Sequence, residues 1–398
     1  MDHPPSAVLD LADSPAITSV RRARVAVSVV FAAHGAVYGS FATRIPWLQD
    51  RLHLGPGLLG VGLLAPSVGA LLGMPFASRL IHRFGGRRAT RAMIAAWCIA
   101  GALPVFAPNL GVLIVFLMAY GITSGTADIA MNAQAIPIEK AAGKSIMSGL
   151  HGMWSLGGVI GSAVGAAAAH ANLDARIHLT ATAVVLASVA VIAATSLPVN
   201  NTDAAEDAPA RFAIPPRPVI LLGLLAFCGL FVEASSSDWC AVYLKKVLHT
   251  DPGIAATAYT AFAFTMAGVR VGGDYAIRAF GPARTVRVSG IIGTAGGVLV
   301  VLAINTPVTI VGFALIGLGI AVVFPLAFAA AGHADAQPAR AIAGVATIAW
   351  GAGIAAPGIV GGVAAASSLP TSFMLITALI AVVAVGARLL QPKASTDD

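Results

Sequence analysis

Residues 48–57 read L-Q-D-R-L-H-L-G-P-G, and residues 244–253, which lie 196 positions later, read L-K-K-V-L-H-T-D-P-G. Five of these ten positions are identical at that offset. The same offset, without a gap, aligns further pairs along the chain: Ile81 with Ile277, Phe84 with Phe280, Gly85 with Gly281, Arg88 with Arg284, Gly121 with Gly317 and Trp154 with Trp350. A fixed offset of about half the chain predicts two homologous halves.

Composition indicates which solvent these halves face. The 398 residues are 58% hydrophobic and 10% charged, with a mean hydropathy of +0.86, whereas soluble proteins carry about 25% charged residues. So few charged side chains cannot cover the surface of a 40.0 kDa globule, and the apolar excess must therefore face lipid. Soluble enzymes, secreted disulfide scaffolds, fibrous proteins and disordered chains are excluded.

Twelve apolar runs of about 20 residues, the length that crosses a hydrocarbon core, predict an all-α integral membrane protein. The predicted domains are cytoplasmic tails at 1–24 and 392–398, six-helix bundles at 25–198 and 218–391, and a cytoplasmic linker at 199–217. Because each bundle has an even number of spans, the two share one topology. The twelve predicted spans are 25–45, 58–81, 89–107, 110–137, 146–169, 177–197, 219–243, 254–277, 285–304, 307–331, 341–366 and 371–390.

The distribution of basic residues predicts the orientation. Placing the N-terminal tail in the cytoplasm puts eighteen of the 24 Lys and Arg residues on that side and only four outside, which are Arg51, Arg176, Lys245 and Lys246. The positive-inside rule predicts that both termini are cytoplasmic, and the membrane is expected to be a bacterial inner membrane. The tail lacks a basic start and a cleavage site, so we do not expect it to be a removable signal peptide.

The loop after the second span, residues 78–88, reads S-R-L-I-H-R-F-G-G-R-R. It resembles the signature of the major facilitator superfamily, which is Gly, three residues, Asp, Arg, any residue, Gly and then basic residues. Ser78 replaces the first Gly and His82 replaces the Asp. In the family this Asp takes part in a cytoplasmic latch between the bundles, so His82 makes the latch doubtful or dependent on pH. The resemblance implies a gating loop formed by His82, Arg83, Gly85, Arg87 and Arg88.

Four further segments resemble the YbjJ-like branch of this superfamily. They are F-A-T-R-I-P-W in the first span, A-D-I-A-M-N-A-Q-A in the fourth, H-G-M-W-S-L-G-G in the fifth and D-W-C-A-V-Y-L in the seventh. That branch is similar to the fucose permease group of proton-coupled sugar carriers. The resemblance therefore implies a major facilitator fold and carrier function.

Polar residues inside the spans are candidates for binding, because an ionisable group in a bilayer costs at least about 2.5 kcal/mol. The short loop at 141–145 predicts that the fourth and fifth spans are antiparallel neighbours. The alternatives are a polar packing cluster in these spans, a structural histidine in the first span and a core aromatic in the eleventh. The candidate substrate-binding residues are His34, Tyr38, Asp128, Asn132, His151, Trp154 and Trp350.

The seventh span carries Glu233, which together with Asp128 is the candidate for proton coupling. The serine run at 235–237 is expected to weaken this helix, so that it can break around a substrate. The alternative is a periplasmic cap, in which Asp238 lies at the membrane interface, and this is the interpretation favoured for Asp238. Two arginines lie near span ends. Arg44 is expected to extend to the interface, and Arg270 is expected to pair with Asp274, four residues later, in a structural or gating role.

These observations favour a secondary active transporter that works by alternating access, with proton symport of a small polar solute such as a sugar. A drug:proton antiporter is the alternative, and a non-transporting membrane sensor or scaffold is a third reading. No sequence motif for ATP, a metal or a catalytic nucleophile occurs, so neither a cofactor nor enzymatic activity is predicted. The expected partners are the solute, protons and lipid, without nucleic acid, and the carrier is expected to be a monomer.

The latch predicts the effect of one substitution. His82→Asp gives the basic loop an anion, and this is expected to stabilise cytoplasmic closure and thus the outward-open state. Accessibility labelling of cysteines placed on the two sides measures the shift. Unchanged labelling on both sides would remove position 82 from any latch.

Overall fold

The computed structural model describes residues 15–143, 146–199, 217–332 and 338–391, and these ranges contain helices without any strand. Most of the predicted tails and linker lies outside them. The helices are α1 Pro15–Ala42, α2 Ile45–Arg51, α3 Pro56–Phe84, α4 Gly86–Ala100, α5 Leu110–Ala142, α6 Met147–His170, α7 Ala175–Ala193, α8 Arg217–Val247, α9 Pro252–Phe280, α10 Pro282–Leu302, α11 Thr306–Ile320, α12 Val323–Gly332, α13 Pro338–Ala366 and α14 Leu369–Gly386.

Twelve stretches of helix within the described ranges are long and apolar enough to cross a membrane. Two of them combine two helices each, because α1 with α2 and α11 with α12 form the stretches Ser19–Arg51 and Thr306–Gly332. The predicted twelve-span, all-α fold is confirmed. Several helices are longer than predicted, and α1 begins ten residues before the predicted first span. A helix can continue beyond the hydrocarbon core, where hydropathy no longer marks it.

The repeat is visible in the backbone. Gly85 and Gly281, which are equivalent at the offset of 196, connect consecutive helices with φ of 78° and 77°, a conformation that favours glycine. Asn109 and Asn305, also equivalent, each accept a hydrogen bond at 3.0 Å from the backbone N–H three residues later. The two halves therefore use the same local devices to begin and end their helices.

Within the N-terminal half, glycines let helices touch backbone to backbone. A Cβ atom on Gly35 of α1 would lie 1.9 Å from the carbonyl oxygen of Trp154, and one on Gly157 of α6 would lie 1.9 Å from that of Ala32. Gly121 of α5 has the same relation to α3. Small residues are how helices associate closely in lipid. As a result α6 packs against α1, and α5 packs mainly against α3.

This pairing corrects one prediction about the N-terminal half. The fourth and fifth spans, α5 and α6, are joined by a short loop but do not form a main packing pair, because α1 lies between them. Connection length alone predicted adjacency, whereas the glycine contacts bring α6 onto α1. The side chain of His34, on α1, reaches both neighbours.

The two halves meet along α6 with α9 and along α3 with α13. We call the side on which residues 199 and 217 lie the linker side, and the other the opposite side. Toward the opposite side, Gly60 and Gly361 approach so closely that a Cβ on either glycine would lie within 3.0 Å of the other helix. In the middle of α3, the Ser67 hydroxyl donates to the Gly353 carbonyl at 2.7 Å.

Ionic contacts across the halves also lie on the opposite side. The Asp50 carboxylate, at the end of α2, accepts hydrogen bonds from both Lys245 and Lys246 of α8, the latter at 2.6 Å. His170 Nδ1 lies 3.9 Å from a carboxylate oxygen of Asp251. Asp50 and its lysine partners form what we call the opposite-side seal.

On the linker side, two large side chains near the contacts between the halves are exposed. Trp350 lies one turn from Gly353, toward the linker side and on the same face of α13, yet it is 42% exposed. His151, near the linker-side end of α6, is also exposed. The described ionic contacts between the halves therefore close the opposite side, while Trp350 and His151 are exposed on the linker side.

The seal predicts how one charge affects this closure. Asp50→Asn removes the anion by which α2 binds Lys245 and Lys246 of the other half, so the opposite side is expected to open more often. Exposed ion pairs are worth about 0.2–1 kcal/mol, which corresponds to a change of up to about fivefold in the open population. The readout is the maleimide labelling rate of Ser237→Cys, with the native cysteines replaced, because Ser237 is 5% exposed and lies behind the seal.

The matched control is Asp174→Asn, which removes an exposed acid on the same side that contacts its own helix α7. An equal labelling rate in the Asp50 and Asp174 variants would show that the ion pair does not hold the opposite side closed.

Candidate functional site

Three aromatic rings connect the halves at the centre of the molecule. The Tyr38 ring of α1 lies 6.1 Å from the Trp154 ring of α6 and 6.4 Å from the Tyr259 ring of α9, measured between centroids. Tyr38 also neighbours Ser237 of α8. Aromatic faces with polar tips suit the binding of a ring that carries hydroxyl groups. Sequence reasoning proposed Tyr38 and Trp154 but missed Tyr259.

His34 fixes the position of the Trp154 ring in this aromatic group through a hydrogen bond. Its Nδ1 accepts a hydrogen bond from the Trp154 indole N–H at 2.9 Å, so the ring hydrogen is on Nε2, which lies 3.4 Å from the Ser124 carbonyl oxygen. The Trp97 ring stacks on the imidazole at 4.8 Å. His34 is 5% exposed. With both nitrogens engaged, this neutral histidine holds the Trp154 indole in place.

Asp128 and Asn132 lie on one face of α5. The Asn132 amide donates to the backbone carbonyl of Asp128 at 2.8 Å and to its carboxylate at 3.2 Å. His151 lies on α6, edge-on to Phe31 at 5.5 Å. It faces the C-terminal half, where the Arg270 guanidinium acts on it electrostatically. The structure therefore relates His151 to α9 across the interface between the halves.

Glu233 forms an ion pair with Arg270. The Arg270 Nη2 donates to both carboxylate oxygens, at 3.0 and 2.9 Å, and joins α9 to α8. The side chains are 18% and 24% exposed. Local spacing suggested Asp274 as the partner of Arg270, but the side chain of Asp274 lies outside the described part of the chain. The contact with Glu233 depends on the packing of two helices, which a pattern along one helix does not reveal.

The predicted break in the seventh span is wrong. Helix α8 is continuous from Arg217 to Val247 through the serine run. Ser235 and Ser236 are fully buried. A break inside the membrane would expose backbone groups that have no water to bind, so the helix keeps its internal hydrogen bonds.

Asp238 is the residue that sequence reasoning underestimated. It lies nine residues before the end of α8, roughly 14 Å from that end, and is half-buried near Tyr38 and Tyr120. Its expected place at the interface is wrong. Helix α8 ends at Val247, whose repeat equivalent, Arg51, is the end of α2. The two halves therefore end this part of the chain at the same position, well beyond Asp238.

Arg44 also differs from its prediction. It is 3% exposed and donates through Nε to His178 Nδ1 at 3.1 Å. The chain ends α1 at Ala42 and begins α2 at Ile45, so Arg44 lies at a bend that turns its side chain inward. A histidine acceptor then satisfies part of the guanidinium in the interior.

Trp350 lies apart from the central rings, on the exposed linker-side part of α13. The predicted gating loop connects α3 and α4. His82, Arg83 and Arg88 are exposed, and Gly85 has a φ of 78°. The guanidinium of Arg87 donates to the carbonyl of Leu197 near the end of α7, which ties the loop to its own half.

The comparison with known proteins agrees with this geometry. A family model described as Major Facilitator Superfamily matches residues 27–356. The chain belongs to the major facilitator superfamily. The protein is therefore a membrane transporter of small molecules and not an enzyme, and the predicted major facilitator fold is confirmed.

Individual members of the superfamily support this assignment. The uncharacterized transporter y4wD of Sinorhizobium fredii is 32% identical over 92% of this chain and 97% of its own. An uncharacterized MFS-type transporter of Yersinia pestis is 31% identical over 92% of this chain and 95% of its own. A crystal structure of a variant of nucleoside transporter NupG has a TM-score of 0.74 and 11% identity, covering 93% of this chain and 100% of that one. The resemblance to the YbjJ-like branch stays a prediction.

The hydrogen bond between Trp154 and His34 predicts a measurable contribution to stability. Trp154→Phe keeps a ring but leaves the His34 acceptor without its donor, which costs about 1–3 kcal/mol for a buried group. Unfolding of the purified carrier by sodium dodecyl sulfate measures the loss. Trp350→Phe is the matched control at the repeat-equivalent position and is expected to change stability by less than about 0.5 kcal/mol. Equal losses in the two variants would contradict the role of the hydrogen bond.

Proposed function

We propose that the protein carries a small polar solute together with a proton, by alternating access between its two halves. The observation that carries this proposal is the ion pair between Glu233 and Arg270, which is partly exposed in the centre of a transporter. Protonation of Glu233 removes its charge and so weakens its attraction for Arg270. A group whose protonation changes a contact inside the cavity is what proton coupling requires.

The proposed location is a bacterial inner membrane, with both termini in the cytoplasm. The excess of basic residues on the linker side supports this orientation. The linker side then faces the cytoplasm, and we propose that the described conformation, with Trp350 and His151 exposed on that side, is inward-open. We also propose the domain limits predicted from the sequence, with bundles at 25–198 and 218–391 that rock against each other around the central rings.

The solute is proposed to be small and hydroxylated, such as a sugar. Tyr38, Trp154 and Tyr259 supply ring faces, Asn132 supplies an amide, and Glu233 with Arg270 supplies charged hydrogen-bonding groups. NupG is a nucleoside transporter, and a nucleoside also combines hydroxyl groups with a ring. At 11% identity the likeness concerns the fold, so it leaves the choice of solute to experiment.

Drug:proton antiport is the alternative function. Partly exposed carboxyl groups are compatible with a cationic drug, whereas the Arg270 guanidinium in the same cavity disfavours one. Thermal-shift assays with sugars and cationic drugs in parallel distinguish the two, since a ligand stabilises the folded protein by RT ln(1 + [L]/Kd).

The coupling site is tested by Glu233→Gln. This variant cannot take up or release the coupling proton, so accumulation driven by a proton gradient is expected to be lost. Counterflow exchange, which needs no net proton release, is expected to continue. Both are measured in proteoliposomes with the solute identified by thermal shift. Normal accumulation in this variant would remove Glu233 from the coupling site.

Asp128→Asn serves as the comparison. Asp128 is proposed to act in substrate binding in the N-terminal half, through its contact with Asn132. Its loss is expected to weaken accumulation and counterflow together. A variant that loses accumulation while it keeps counterflow would transfer the coupling role from Glu233 to Asp128.

A further inference from the structure

The charge around Glu233 restricts what the cargo can be. In the structure Glu233 and Arg270 neutralise each other. When Glu233 takes up a proton, as the proposed function requires, Arg270 keeps its positive charge in the interior of the carrier. An unpaired charge there is expensive. The loaded carrier therefore needs another anion next to Arg270.

Among the side chains that the structure describes, few groups can fill that role. Asp274, four residues after Arg270 on α9, has a side chain outside the described set, and α10 brings only the basic residues Arg284 and Arg287. Tyr38 and Tyr259 neighbour Glu233, and His151 faces Arg270 from α6. None of these three is an anion at neutral pH. Asp238 lies on α8 itself, near Tyr38 and not among the partners of Arg270 in the described part of the chain.

The other helices packed against α8 are equally poor in anions. Helices α11, α12 and α14 have no Asp, Glu, His, Lys or Arg in their sequences, and α13 has Arg340 as its one charged residue, with a side chain outside the described set. Helices α1 and α2 bring only Asp50 as an acid, and it is engaged in the opposite-side seal.

The ion pair between Glu233 and Arg270 does not have the most favourable geometry for a guanidinium and a carboxylate. Both hydrogen bonds from Arg270 to Glu233 use Nη2, whereas a guanidinium binds a free carboxylate best with two nitrogens in parallel. A carboxylate that approaches from the cavity is not restricted by the backbone of α8. It can therefore form the two-nitrogen contact that Glu233 does not make.

We propose that the cargo is a hydroxylated monocarboxylate, a sugar acid, whose carboxylate takes the place of Glu233 on Arg270. The inference rests on the proposed function. On binding, the Glu233 carboxylate accepts one proton and becomes a carboxylic acid, while the hydrogen bonds of Arg270 pass to the cargo carboxylate. One negative and one positive charge enter together, so the net charge of the cavity is the same with and without cargo.

Neutral and cationic solutes do not meet this condition. A neutral sugar bound with a proton leaves Arg270 without an anion. A cationic solute bound with Glu233 protonated adds a second positive charge beside Arg270. Among the three classes, and with the side chains that the structure describes, only an anionic solute gives the loaded carrier a paired arginine.

The test compares matched probes on the purified full chain. D-Glucuronate, D-galacturonate and D-gluconate are paired with D-glucose, D-galactose and D-glucitol, and D-glucosamine provides the cation. Thermal shift against concentration gives each Kd. At least one acid is expected to bind ten times or more tighter than its neutral counterpart. Its Kd is expected to rise about tenfold per pH unit while Glu233 is ionised without cargo, because one proton binds with each acid.

Variants assign this behaviour to the ion pair. Glu233→Gln is expected to bind the acid at least as tightly as the wild type and to lose the pH dependence, because Arg270 is released from its partner. Arg270→Gln is expected to lose the preference for acids. Arg278→Gln removes an exposed arginine from the same helix and is expected to behave as the wild type. The melting temperature without ligand verifies that each variant is folded.

Binding of neutral sugars as tight as that of the acids, binding of none of the three acids, or an unchanged acid preference in folded Arg270→Gln would each overturn the inference. Uptake into proteoliposomes separates this result from the proposed function. A neutral sugar accumulated with protons refutes the cargo class and leaves proton symport standing. An acid that binds with the expected pH dependence but is not accumulated under a proton gradient refutes proton symport and leaves the cargo class standing.

Discussion

The low dielectric constant of the hydrocarbon core determines the rest of this structure. Backbone groups in lipid must bond within the chain, so the described residues form helices. Charges in the same environment must be few and paired. Glu233 meets that requirement through Arg270, and Asp128 has Asn132 as a neighbour. Few polar contacts are therefore available for transport, and disturbing any of them also lowers the stability of the folded protein.

The repeat gives the two halves similar backbone conformations, although the side chains at equivalent positions differ in their chemistry. His53 and His249 adopt the same φ of 51°, while Asp50 and its repeat equivalent Lys246 carry opposite charges and bind each other. Residues near the pseudo-symmetry axis meet their own equivalents, so identical charges there would repel. Divergence to an acid and a base converts that repulsion into attraction between the halves.

The sequence predicts what depends on position along the chain, and it misses what depends on contacts between distant helices. Span number and the offset follow from hydropathy and identity. The partner of Arg270, the inward side chain of Arg44 and the separation of α5 from α6 follow from the packing of helices that are distant in sequence. The depth of Asp238 follows from the length of α8, which continues to Val247, beyond the predicted end of the seventh span at residue 243.

Alternating access requires two states of similar free energy, since a difference beyond a few kcal/mol would leave one of them nearly unpopulated. The opposite-side seal suits this requirement. Asp50 and Lys246 are 38% and 43% exposed, and ion pairs of such exposure contribute about 0.2–1 kcal/mol. Part of the contact between the halves on that side is the approach of α3 and α13 at Gly60 and Gly361, where both residues are glycines and the backbones meet directly. A screened ion pair and a close backbone contact therefore suit the proposed mechanism, in which binding and protonation at Glu233 and Arg270 decide which side is open.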